Sequence, residues 1–225
     1  MTQKSKQMQV PIVQDILSAN DEIALQNRET LDRTGICMVN LMASPGAGKT
    51  SLLLRTIESL RTKLRMAVIE GDIASTVDAD RIAQENIPVV QINTGGQCHL
   101  DAPMLRRALH QLHLPDLDLI IVENVGNLIC PVDFHLGEHL NIMIASVPEG
   151  DDKPYKYPGI FLAVDAVVIN KIDLLPYVHF DLAAFRTLVT GMNPDVHIFE
   201  VSCETGVGIA PWADWLVQQT GKCQD

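Results

Sequence analysis

Ala43-Ser-Pro-Gly-Ala-Gly-Lys49-Thr50 is the stretch whose reading decides the fold. The apolar run 36–42 before it reads as a strand, and Lys49–Leu64 after it reads as a helix. A glycine-rich turn between strand and helix can curl until its backbone N–H groups converge on an anion. The start of the helix adds its positive dipole end. The stretch fits a Walker A phosphate loop with Ala43 in place of the first Gly. Gly46, Ala47 and Gly48 then line the phosphates, and Lys49 reaches the β- and γ-phosphates. The Thr50 hydroxyl binds Mg²⁺, and Ser51 adds a contact through its N–H or hydroxyl. A chance glycine-rich turn is the bland alternative, and the strand–turn–helix context argues against it.

Outward from this loop, strand and helix signals alternate. Strands are expected at Met66–Glu70, Val89–Ile92, Leu117–Glu123, Leu140–Val147, Ala166–Asn170 and His197–Val201. Helices are expected at Asp78–Glu85, Ala102–Leu112, Asp181–Thr190 and Pro211–Gln219. Short Val/Ile/Leu strands alternating with helices imply a mostly parallel sheet covered on both faces. In such sheets ligands bind at the carboxyl ends of the strands. Residues 1–10 read as a loose tail, and Ile12–Leu31 as one or two amphipathic packing helices. The expected organisation is a tail and helix over 1–35, then a P-loop domain over 36–225 carrying an inserted metal-binding loop.

Composition narrows the function classes. The 225 residues suit one large α/β domain. A net charge of −11, from 17 basic and 28 acidic residues, argues against a general nucleic-acid binder. The first ten residues lack the apolar core of a signal peptide, and no apolar run is long enough for a membrane helix. A cytoplasmic protein with no membrane partner is expected. Its five cysteines, at 37, 98, 130, 203 and 223, lack disulfide-like spacing and read as free thiols or metal ligands.

Asn170-Lys171-Ile-Asp173 follows an expected strand. The Asp173 carboxylate can accept from both N1–H and the exocyclic amine of guanine, whereas adenine leaves it unpaired. Lys171 can cover the base face, and Asn170 can tie this loop to the phosphate loop. Ser202-Cys203 then reads as the last guanine-side loop, with the Cys203 N–H meeting guanine O6. The Cys203 thiol itself reads as a small buried hydrophobe.

Asp72 ends the second strand and can hold Mg²⁺ directly or through water. Asp78 is a second candidate, and Asp80 reads as a solvated helix residue. Glu123-Asn-Val-Gly126 stands where a metal-side acid and a γ-phosphate sensor are expected. Gly126 can turn its N–H to the γ-phosphate, and hydrolysis would release it. Seven positions after Glu123 stands Cys130, and Cys98-His99 sits in the loop before the helix at 102. Two thiolates and an imidazole suit Zn²⁺ or Ni²⁺ and poorly suit Mg²⁺. On their own, adjacent Cys and His more often describe a buried thiol beside a surface imidazole. His110 and His113 read as a solvated face. His135 and His139, four apart, could share a helical face without forming a built site.

Jointly, SPGAGKT, VIEGDIAS, QINTGGQCHLDA, ENVGNLICP, EGDDKPYKYP and NKIDLLPY resemble the HypB family, nickel-incorporating GTPases that help mature NiFe-hydrogenase. The resemblance covers roughly residues 36–220. It implies a dimer-forming (SIMIBI-type) P-loop GTPase that uses GTP/GDP and Mg²⁺ and hydrolyses slowly. It also implies nickel or zinc on Cys98, His99 and Cys130 at a homodimer interface. The partners it implies are a companion nickel-binding maturation protein and the hydrogenase large-subunit precursor. Two departures stand out. Some members carry an N-terminal Cys- or His-rich nickel site, and residues 1–35 contain neither residue. His135 stands where Asp is common. The resemblance also raises Lys153 and Lys156 as contacts to nucleotide or partner subunit. Two other readings stay open: a P-loop kinase or ATPase with a structural zinc, and a scaffold with structural nucleotide.

Overall fold

The computed structural model describes residues 12–72 and 82–224. The sheet has seven strands, all parallel: β1 (Cys37–Ala43), β2 (Met66–Asp72), β3 (Val89–Asn93), β4 (Leu119–Glu123), β5 (Leu140–Ser146), β6 (Ala166–Asn170) and β7 (His197–Glu200). Their spatial order is β3-β2-β4-β1-β5-β6-β7. β1 is central, paired with β4 on one side and β5 on the other. The phosphate loop therefore leaves the middle of the sheet at its carboxyl edge.

The long helices are α1 (Ile12–Thr34), α2 (Lys49–Leu60), α3 (Ala102–Leu109), α7 (Leu182–Met192) and α8 (Ile209–Gln224). Short helices α4 (Cys130–Asp133), α5 (Lys153–Lys156) and α6 (Pro158–Ala163) lie between them. β1 shows how both faces are covered. Cys37, Val39 and Leu41 pack with Leu53, Ile57, Trp212 and Leu216 of α2 and α8. Met38 packs on the opposite face with Leu31 of α1 and Leu105 of α3. Met42 packs with Phe161 and Phe185 of α6 and α7. Each such aliphatic or aromatic side chain stabilises the fold by roughly 1.5–3 kcal/mol on burial. Trp212 keeps its indole N–H satisfied on Thr56 Oγ1, 2.8 Å away.

Differences from the sequence expectations sit at element ends and have local causes. β4 starts at Leu119, two residues later than expected, because residues 114–116 form a 3-10 turn and the Asp118 carboxylate accepts from the Arg65 backbone N–H at 2.8 Å. α2 stops at Leu60, where residues 61–63 turn. α8 begins at Ile209, so Pro211 falls in its first turn, where a missing N–H costs nothing. The N-terminal segment is one helix, and Asn20, Asn27 and Leu31 bury against the body of the fold. His135 and His139 do not share a helix: the intervening chain is irregular, turning at Gly137 with φ +97°. The first half of the helix expected over 78–85, with Asp78 and Asp80, falls outside the described residues, and of the rest residues 82–83 are helical and 84–85 turn.

Candidate nucleotide and metal site

The phosphate loop joins β1 to α2. Gly48 holds φ +101° just before Lys49, and a Cβ there would lie 2.4 Å from Asn170 Nδ2. α2 has no side-chain cap at its start, so its first N–H groups remain for a phosphate. α3 is the contrast: the Asp101 carboxylate caps it, accepting from the Met104 N–H at 2.7 Å. Ala47 is fully buried, while Lys49 and Thr50 are half-buried at the open end of the loop and Ser51 is exposed. Gly48→Ala is expected to keep the fold and to weaken nucleotide binding at least about 10-fold, because a left-handed L-residue costs roughly 1–2 kcal/mol before Asn170 is displaced. Titration with a fluorescent GDP analogue checks this, and unchanged affinity would show that the loop does not cradle phosphate.

The loop after β6, expected to meet the base, is bound directly to the phosphate loop. Asn170 Nδ2 donates to the Ala47 carbonyl at 3.0 Å, and Lys171 Nζ to the Gly46 carbonyl at 2.7 Å. Ser202 Oγ donates to Asp173 Oδ1 at 2.5 Å, and Asn170 Oδ1 accepts from the Cys203 N–H at 3.4 Å. Ser51, Asn170, Lys171, Asp173 and Cys203 line one open pocket of about 350 Å³. The Cys203 thiol is pushed up to about 11 by burial, which suits a packing role. Arg55, which the sequence reading passed over, fixes this loop from below: its Nε donates to the Cys203 carbonyl at 2.7 Å.

Thr50 Oγ1 donates to Glu123 Oε1 at 2.9 Å, and Glu123 is buried at the end of β4. A hydroxyl and a carboxylate this close are hard oxygen donors of the kind Mg²⁺ takes. Asp72 ends β2, the strand beside β4, and is half-exposed. Beyond Glu123 the chain passes close to the phosphate loop. A Cβ on Gly126 would lie 3.0 Å from Pro45 Cγ and 3.1 Å from its backbone nitrogen. Only glycine fits this approach without moving Pro45.

Cys98, His99 and Cys130 bring their ligand atoms within 4.8 Å of one another. Cys98 Sγ lies 3.4 Å from His99 Nδ1, and the His99 ring rests on Phe134 at 3.9 Å between centroids. Burial lowers the His99 pKa, against an opposing pull from Asp101, which favours the neutral imidazole a metal would need. The Cys98 thiol is raised, chiefly by its hydrogen bond with Cys130 and then by desolvation.

Two asparagines unremarked in the sequence stitch this group to the β4 end. Asn127 Nδ2 donates to the Cys98 carbonyl at 3.2 Å, while its Oδ1 accepts from the Ile129 N–H at 2.9 Å. Asn124 Oδ1 accepts from Leu100 N–H at 3.1 Å and from Val125 N–H at 2.9 Å. Asn124 Nδ2 reaches Asn40 Oδ1 at 3.1 Å, and Asn40 Nδ2 reaches Asn141 Oδ1 at 3.0 Å. The one polar residue of β1 is thus the middle of a satisfied buried chain. Segment 123–130 is held at one end by Thr50, at the end of the phosphate loop, and along its length by the loop carrying Cys98 and Leu100.

The other candidates are local. Lys153 pairs with Glu149 at 3.4 Å, and Lys156 pairs with Asp152. His113 pairs with Asp116 at 2.9 Å, and His110 is exposed. His135 lies 3.7 Å from Glu138, whose carboxylate raises the imidazole pKa.

An all-parallel sheet in this order, with a phosphate loop after β1 and the loop of residues 170–173 packed against it after β6, defines a P-loop nucleotide-binding protein of the SIMIBI type. Residues 37–200 match the family model described as the CobW/HypB/UreG nucleotide-binding domain. The chain belongs to this family and, within it, to the HypB proteins. It is 46% identical over 217 residues to hydrogenase maturation factor HypB of Azotobacter chroococcum, covering 96% of this chain and 71% of the relative. A crystal structure of HypB from Archaeoglobus fulgidus superposes with a TM-score of 0.85 at 40% identity, covering 90% of this chain and 99% of the other. A structure of HypB from Helicobacter pylori in complex with nickel gives 0.87 at 35% identity, covering 91% and 96%.

Proposed function

We propose that this chain is a GTP-hydrolysing metallochaperone that handles nickel, or zinc on the same ligands, for insertion into the NiFe-hydrogenase large subunit. The observation that carries the coupling is the double attachment of segment 123–130. Glu123 meets Thr50 at 2.9 Å, Gly126 abuts Pro45, and Asn127 holds the Cys98 carbonyl at 3.2 Å. The nickel named with the Helicobacter pylori relative supports the cargo, and the Cys/Cys/His donor set suits it.

In this reading the phosphate-loop N–H groups and Lys49 hold the β- and γ-phosphates. Thr50 and Glu123, with Asp72 nearby, hold Mg²⁺, which when bound neutralises charge on the phosphate oxygens. Asp173 and the Cys203 N–H select guanine. Gly126 donates its N–H to the γ-phosphate. When that phosphate leaves, segment 123–130 relaxes and shifts Cys130 against Cys98 and His99. The metal set is incomplete for a tetrahedral ion, and a second copy of the chain completes it at a homodimer interface. A nickel-binding maturation partner and the large-subunit precursor are the proposed donor and recipient. A reducing cytoplasm is the compartment of this reading, and cysteines without disulfides among the described residues suit it.

Nickel titration of the GDP and GTP-analogue forms tests the coupling. Affinity is expected to differ by about 5–150-fold between them. Asn127→Ala should shrink that difference while leaving GTP affinity in place. Equal affinity in both nucleotide forms of the unsubstituted chain would sink the coupling. Multiple-turnover phosphate release from GTP tests hydrolysis, and its absence would leave only a nucleotide-binding scaffold.

A further inference from the structure

Among the described residues a second group of two cysteines and a histidine lies at the opposite edge of the sheet. Cys37 opens β1, His139 immediately precedes β5, and Cys223 sits in the last turn of α8. Their ligand atoms all lie within 4.8 Å of one another, and the two sulfurs are 2.7 Å apart. β1 runs from Cys37 to the phosphate loop, and seven strand residues at about 3.3 Å each put the group roughly 20 Å from the nucleotide site. None of the three residues serves the site already described.

The surroundings resemble a built metal site in three ways. First, Cys37 is fully buried and Cys223 half-buried, in a body of apolar side chains that keeps water away. Second, His139 Nε2 lies 2.9 Å from Asp32 Oδ1. A ligating imidazole commonly donates its far N–H to a carboxylate, which fixes the ring and presents the other nitrogen to the ion. That other nitrogen, Nδ1, accepts from the Met38 backbone N–H at 3.0 Å, next to Cys37. Losing that bond costs about 1–3 kcal/mol, against an apparent binding energy of roughly 10–16 kcal/mol for zinc at structural sites. Third, the charges close. Two thiolates and Asp32 carry three negative charges. A divalent cation and Arg28, whose Nε lies 3.2 Å from Asp32, carry three positive ones. The sulfurs need only separate by about 1 Å, since thiolates about 2.3 Å from a tetrahedral ion lie about 3.8 Å apart.

We propose that Cys37, His139 and Cys223 bind a second thiophilic divalent cation, of the zinc or nickel type, which clamps the end of α8 to the starts of β1 and β5. Each thiol gives up its proton as its sulfur joins the ion, and no electron is exchanged. The donor set repeats that of Cys98, His99 and Cys130, but its place in the fold frees it from the nucleotide.

The test uses the full, reduced chain carrying Cys98→Ala and Cys130→Ala, so that the first set is gone. Co²⁺ and Zn²⁺ are titrated with and without GDP. One equivalent per chain is expected, with thiolate-to-cobalt charge-transfer absorption, the same in both conditions. Adding Cys223→Ala should remove that equivalent. Asp32→Asn should weaken it by about 10–100-fold while the far-UV spectrum stays native. Zn²⁺ should also slow alkylation of Cys223, mapped by mass spectrometry, in a chain with no substitution at this group. The proposal fails if the reduced, folded double variant takes up no metal, or if uptake survives Cys223→Ala. It also fails if Cys37 and Cys223 are recovered as a disulfide that reductant does not open in the folded chain.

Discussion

Asp173→Asn is expected to weaken GTP binding by about 10²–10³-fold, the equivalent of roughly 3–4 kcal/mol. Ser202 Oγ anchors one carboxylate oxygen at 2.5 Å and is itself fixed by the Thr205 N–H at 3.1 Å. The carboxylate is therefore pre-set to accept from guanine N1–H and from the exocyclic amine, two charge-assisted bonds. An Asn keeps one acceptor and turns an N–H₂ against the base amine. One bond is lost and two donors face each other. Xanthine carries a carbonyl where guanine has the amine, so the same substitution should raise affinity for XTP. ATP should remain a poor ligand of both forms. Competition of the three nucleotides against a fluorescent GDP analogue reads all of this. Unchanged GTP affinity in Asp173→Asn would move the base pocket elsewhere, and ATP binding as well as GTP would restore the ATPase reading. Metal uptake at Cys98, His99 and Cys130 should not change.

The elements legible in the sequence are those whose signal is local. The phosphate loop is a contiguous run with a required backbone, and it falls where its glycines and flanking elements place it. The strands were legible because both faces of the sheet are covered, which turns each strand into an unbroken apolar run. Asn170 to Asp173 was legible for the same reason, as a short run at a strand end. What stayed hidden joins residues far apart in the chain. Asn40, Asn124 and Asn141 form a buried relay across β1, β4 and β5, and in the sequence each is an ordinary polar residue. A buried Asn in the central strand was the one available signal, because such a group must find partners. Cys37 and Cys223 are 186 positions apart, so no spacing rule could pair them. Helical period sets His139 beside His135, but its partners are Asp32 and Met38, on α1 and β1. Element ends were displaced where a side chain outcompeted the period, as Asp118 does at Arg65.

Metal affinity at Cys98, His99 and Cys130 is expected to climb about 100-fold per pH unit between roughly pH 7 and 8, below the ordinary thiol range. Both sulfurs bind as thiolates, so each must lose a proton, and two released protons give a slope of two in log affinity against pH. His99 adds little to the slope above neutrality. Burial holds its pKa below the ordinary imidazole value, which favours the neutral ring there. The sign for Cys98 runs the other way. Its thiol is raised by the hydrogen bond with Cys130, so protons compete longer and the rise continues to higher pH than for an isolated cysteine. A Cys223→Ala background keeps the second cysteine group silent, and zinc competition with a chromophoric chelator reads the affinity. Cys98→Ala or Cys130→Ala in that background should reduce the slope to one and weaken binding by far more than a solvent-exposed contact could. GTP affinity should stay within error, because neither thiol touches the phosphate or base loops. A slope of one with all three ligands intact would mean that only one sulfur holds the ion. If Cys130→Ala then left affinity unchanged, that sulfur would be Cys98, movement of Cys130 could not change metal affinity, and the mechanical link from Glu123 to Cys130 would fail.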